Sequence, residues 1–156
     1  MGTKREFAAA VKEHFLVLTP RLDVALATIG SATYLRATVF LHFEYDSPHF
    51  SDTFAVSAWP MSRKGKPTGE RLELLPGKTV VVPSKIYDAP KFEDVGPWHT
   101  ASGLLERWFV TRWRRLLRKN APLPAFIGHH DSYFKTDLET GDRTNWDAIL
   151  KSVSRG

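Results

Sequence analysis

A chain of 156 residues is near the commonest size for one domain and long enough to bury one core. Its ten Phe, five Trp and four Tyr exclude a disordered chain, because that much aromatic surface offsets the entropy of ordering. The absence of cysteine excludes disulfides, thiolate metal sites and a cysteine nucleophile, while the net charge of +5 is concentrated: residues 104–119 carry six basic side chains against the single acid Glu106.

No secretory signal and no apolar run long enough to span a bilayer is visible, so a cytoplasmic protein is expected. No repeat, low-complexity tract or linker divides the chain, and a single domain over 1–156 is expected.

The spacing of Phe7, Val11, Phe15 and Leu18, behind a capping box at Thr3 and Glu6, predicts a helix over 4–18, with Pro20 either stopping it or starting a new one. Residues 21–32 suit helix or strand. The alternation over 34–45 predicts a strand. Leu35, Ala37, Val39, Leu41, Phe43 and Tyr45 lie on one face, with Tyr34, Arg36, Thr38, Phe40, His42 and Glu44 on the other. A second strand over 52–59 is expected to pair with it as an antiparallel hairpin. Leu72 and Leu74 suggest a short strand, Pro76 and Gly77 a turn, and residues 79–82 another strand.

A long helix is expected from Thr100 or Ser102 to Lys119, ended by Asn120, Pro122 and Pro124. Residues 133–138 suit a strand, and Trp146, Ile149, Leu150 and Val153 a short final helix capped near Thr144. The order predicts an α+β fold. A small antiparallel β-sheet would pack against an N-terminal helix and a long basic amphipathic helix, with the helices on one face.

At about 100° per residue, Leu105, Leu116, Phe109, Trp113, Leu117 and Val110 share one arc of the long helix, and only Glu106 interrupts it. Arg107, Arg112, Arg114, Arg115, Arg118 and Lys119 share the opposite side with Trp108. That stripe suits a solvated face whose cations complement the helix dipole. It equally suits an acidic protein surface, for which Arg and Trp are favoured anchors, or nucleic-acid phosphates, with Trp108 stacking on a base. Without a nucleic-acid-binding motif the protein partner ranks first. The expected function is therefore a non-enzymatic interaction protein, immunity-like or regulatory, presenting this face to an acidic macromolecule; its oligomeric state is open.

Two sets of residues could carry chemistry. His42 and Glu44 lie on one strand face and could act as base and acid, although Tyr34 and Phe40 beside them argue for cover. His129, His130 and Asp131 are the one local cluster of metal-ligand types. Adjacent side chains in an extended chain point to opposite sides, so no metal or cofactor is expected there. A small hydrolase or metal-dependent enzyme is the third alternative.

Overall fold

The computed structural model describes residues 2–46, 56–74, 86, 89–117 and 120–155. Helix α1 spans Lys4–Ser31. Its capping box is present: the Thr3 hydroxyl accepts the Glu6 N–H at 3.1 Å, and the Glu6 carboxylate accepts the Thr3 N–H at 3.4 Å. Pro20 does not end it. A proline in a helix interior costs about 3 kcal/mol, but Leu22, Leu26 and Ile29 carry the buried stripe of Phe7, Val11, Phe15 and Leu18 past it. Burying each such side chain returns about 1.5–3 kcal/mol, so packing overrides propensity.

Among the described residues six strands form one sheet in the order β3-β2-β1-β4-β5-β6. They are β1 (Phe40–Tyr45), β2 (Val56–Met61), β3 (Leu72–Glu73), β4 (Ala125–His129), β5 (Phe134–Asp137) and β6 (Arg143–Asn145). Neighbours pair antiparallel except β1 and β4, which run parallel with Tyr45 opposite His129. The first strand is shorter than its alternation suggests, because the Thr38 N–H donates to the Leu35 carbonyl at 2.9 Å and closes a turn ahead of it. Strands β4 and β6 were not expected from the sequence. The strand over 79–82, the turn at Pro76 and Gly77, and the first residues of the second strand lie outside the described residues.

A parallel neighbour requires a crossover. Here a 3-10 helix (Pro90–Val95) and helix α2 (Pro97–Leu116) supply described parts of it, joined at Gly96 with φ 62°. Leu41, Phe43, Ala125 and Ile127 pack with α1 and α2 on one face of the sheet. Phe40 and Phe126 face the other way, into a second cluster with Met61, Ile149 and Val153. Ile149 and Val153 belong to α3 (Trp146–Ser154), capped by Asn145, whose side chain accepts the Ala148 N–H at 2.9 Å. Helices therefore cover both faces of the sheet, not one. The second face of β1 carries the buried Phe40 and His42 beside Glu44, so that side needs its own cover. The fold is α+β, with a six-stranded, mostly antiparallel sheet.

Gly30 lets the C-terminal ends of α1 and α2 approach. A Cβ there would run into the side chains of Leu117 and Trp113. Among the described residues no helix is long and apolar enough to cross a membrane.

Candidate functional site

The cationic stripe of α2 divides in the folded chain. Arg107, Arg114 and Arg115 are exposed. Trp108 is not free to stack on a partner: it lies on Phe15 of α1 with ring centroids 4.3 Å apart and planes 2° apart, and its Nε1–H donates to Thr19 Oγ1 at 3.0 Å. Arg112 turns the same way. Its Nε and one terminal nitrogen donate to the two carboxylate oxygens of Asp23 at 2.7 and 2.6 Å. That bidentate pair raises the Arg112 pKa through its hydrogen bonds to Asp23. Arg118 and Lys119 lie outside the described residues. The reason is geometric. Trp108 and Arg112 are four apart and border the apolar arc on the side where α1 packs.

His42 and Glu44 do not form an open site. His42 is buried beneath Trp146 of α3, with ring centroids 5.2 Å apart, and its Nε2 has no hydrogen-bond partner among the described residues. Burial, then the Lys135 ammonium, lowers its pKa to about 3. Glu44 accepts the Trp59 Nε1–H at 2.9 Å.

A different set of side chains converges at the carboxyl ends of β1 and β4. From these parallel neighbours the chain departs in opposite directions, to β2 on one side and β5 on the other. The divergence leaves a crevice of about 410 Å³, roofed by the first turns of α2 and floored by β4, β5 and β6. Its centre is Glu106. One carboxylate oxygen accepts the Tyr45 hydroxyl at 2.7 Å, and the other accepts the Thr136 hydroxyl at 2.7 Å. Burial, then the Glu106 charge, pushes the Tyr45 phenol well above its ordinary range, so Tyr45 is a neutral donor. Ser102 sits one turn before Glu106 and lines the same crevice, its buried hydroxyl without a hydrogen-bond partner among the described residues. Gly103 has open space where a Cβ would stand. Arg143 reaches in from β6, its guanidinium 4.9 Å from the Phe134 ring.

His129 closes the crevice from β4. Its Nδ1 accepts the Asp131 N–H at 3.2 Å. Burial, then neighbouring His130, lowers its pKa, with Asp131 and Asp46 opposing, so the ring is neutral at pH 7. The His129 carbonyl accepts from both the Ser132 N–H at 3.0 Å and the Lys135 ammonium at 2.9 Å. Lys135 is buried, which lowers its pKa against the pull of Glu44 and Glu106. Its stem fills the space beside Gly128, where a Cβ would meet Lys135 Cδ at 2.5 Å.

No protein-family model matches the chain, and no curated protein or solved structure matches it either. The chemistry of the site therefore rests on its own residues. One sequence signal pointed to it: Glu106 is the single polar interruption of the apolar arc of α2. A carboxylate on an inward helix face needs donors to satisfy it, and Tyr45 and Thr136 are those donors. The His129–Asp131 cluster also differs from its expectation. The chain turns after His129, and one ligand atom from each of the three residues lies within 4.8 Å of the others.

Proposed function

We propose that the crevice between the carboxyl ends of β1 and β4 binds a small polar molecule carrying an anionic group. The observation that carries this is the convergence of Tyr45, Glu106, His129 and Arg143, from four separate segments, on one cavity. Ligands bind where parallel strands end and their connections part, because backbone and side chains there are not consumed by packing. Arg143 has no ion pair with a carboxylate among the described residues and offers a planar, bidentate donor set. His99 and Ser102, in the first turns of α2, lie at the end of the helix that favours negative charge. The carboxylates of Glu106 and Asp131 supply acceptors for hydroxyl or amine groups of the same ligand.

The test is an NMR titration of amide shifts with inorganic phosphate, glycerol phosphate and citrate. Shifts are expected to cluster at Ser102, His129 and Arg143. Arg143→Ala is expected to weaken binding about tenfold, or about 1.4 kcal/mol. Absent or scattered shifts with all three probes would sink the proposal.

A second reading is supported by the charge asymmetry. Arg107, Arg114 and Arg115 are exposed on the outer side of α2 and suit an acidic protein surface or nucleic acid. Arg107 and Arg114 are two turns apart on nearly the same meridian, about 10 Å along the axis. Binding of a random oligonucleotide that falls steeply with salt favours phosphate contacts. Absence of binding at low salt leaves an acidic protein as the partner to seek. Either reading suits the cytoplasmic location expected from the sequence.

A further inference from the structure

We propose that His129, His130 and Asp131, with Asp46 holding His130 in place, form a binding site for one divalent cation of the zinc class at the edge of the crevice. The inference rests on the crevice being the functional site and adds an ion to it.

The turn after β4 produces the cluster. The Ser132 N–H closes onto the His129 carbonyl at 3.0 Å, so side chains that would diverge along a strand are drawn to one side. His130 Nε2 stands 3.1 Å from Asp131 Oδ1. Two ligands bound to a tetrahedral zinc ion at about 2.0 Å lie about 3.3 Å apart, so this spacing needs little adjustment. On the far side of the ring, His130 Nδ1 stands 3.1 Å from Asp46 Oδ1. That is the arrangement in which a carboxylate takes the Nδ1–H of a ligand histidine, fixing its tautomer and turning Nε2 toward the ion. His129 Nδ1 faces the same turn, since it accepts the Asp131 N–H. Ligation through it would displace that long 3.2 Å hydrogen bond.

The donor set is two imidazole nitrogens and one carboxylate oxygen. It favours zinc, cobalt or nickel over magnesium or calcium, which take oxygen ligands. Three protein ligands also leave a coordination position free for water or a ligand group, as in catalytic zinc sites. His129 and Asp131 both line the crevice, so bound ligand and ion would be neighbours.

The competing account is that His130 is simply held between Asp46 and Asp131, with no affinity for a metal. Calorimetric titration of chelator-treated protein with zinc chloride, followed by cobalt(II) absorption in the visible, separates the two. One ion per chain is expected, with the intense cobalt bands of a four-coordinate site. His130→Ala and Asp131→Asn are each expected to weaken zinc binding by about 100-fold or more, and Asp46→Asn by about 10–100-fold. Glu13→Gln, exposed on α1, is expected to leave it unchanged. Asp131→Asn, an exposed substitution in a turn, protects the test if His130→Ala unfolds the chain. Zinc affinity equal in wild type, His130→Ala and Asp131→Asn overturns the proposal, as does no binding at micromolar zinc. The phosphate and citrate titrations are repeated in chelator. Ligand shifts that persist without zinc binding remove the ion alone, and zinc binding without ligand shifts removes the crevice ligand alone.

Discussion

The two halves of α2 present the same face to the sheet and use it oppositely. Ser102, Glu106, Phe109 and Trp113 follow each other at spacings of four, three and four, so they lie along one line of the helix. Phe109 and Trp113 pack edge-on against Phe43, with centroids 6.0 and 5.7 Å apart. Ser102 and Glu106 instead lie at the end of the strands, where Glu106 accepts from two hydroxyls. The difference teaches where packing ends. Over the middle of the sheet an inward position is worth several kcal/mol when apolar. Over the strand ends the same position holds a carboxylate, which burial disfavours and which contributes nothing to a dry core. A polar pair kept on an inward face is what the proposed ligand crevice would need.

Substitutions along this line test the contrast, and the largest effect belongs to the aromatic half. Trp113→Ala removes one of the largest fully buried side chains and is expected to cost about 3–5 kcal/mol in urea unfolding. A loss below about 1 kcal/mol would mean that the aromatic half is not the packing half.

The imidazoles sharpen the contrast next, because His42 is under cover and His129 is in the crevice. The pKa of His42 falls from 6.5 unfolded to about 3 folded, so its native form is neutral. Below about pH 6.5 the unfolded chain binds a proton that the folded chain refuses, and stability falls as pH falls toward 3. On this account, wild type loses on the order of 2–3 kcal/mol between about pH 7.5 and pH 4.5 through this residue. His42→Leu is expected to flatten that part of the profile, measured by denaturant unfolding at both pH values. An unchanged slope would show that His42 is not held neutral.

Glu106→Gln is expected to cost only about 1 kcal/mol, since one hydroxyl keeps an acceptor and the other can turn to accept from the amide. It should nevertheless alter ligand shifts in the crevice. A cost as large as that of Trp113→Ala would return Glu106 to a purely structural role. The smallest effect is expected outside this line. A double-mutant cycle on Arg112→Ala and Asp23→Ala should give a coupling of about 0.5 kcal/mol, because the pair is bidentate but partly wet, with side chains 18% and 24% exposed. A coupling indistinguishable from zero would leave Trp108 and the apolar seam as the whole of the α1–α2 contact.

Much of the fold was legible in residue patterns. Period-two alternation located β1, and periodic apolar residues located α1, α2 and α3, because these signals are local. Pro20 misled because a local penalty was weighed without the distant surface that Leu22 and Leu26 bury against. Strand β4 escaped because Ala125–His129 is a five-residue run hemmed by Pro124 and a polar turn, and its partner β1 is far away in sequence. The crevice was less legible still. Tyr45, Glu106, His129 and Arg143 share no motif, and only the out-of-place Glu106 announced that something inward had to satisfy it. For the histidine cluster, the alternation rule was applied one residue beyond the strand's end, where it no longer holds.

The parallel contact between β1 and β4 also divides the sheet into two meanders, β1 to β3 and β4 to β6. Within each, strands neighbour in sequence and can zip from a turn outward. The seam between them must wait for a long loop to close, with its entropic toll, before any bond across it forms. Leu41 and Ala125 face each other across that seam. Refolding should therefore be limited by how fast the halves find one another, and mutations at the seam should slow that search more than mutations within either meander.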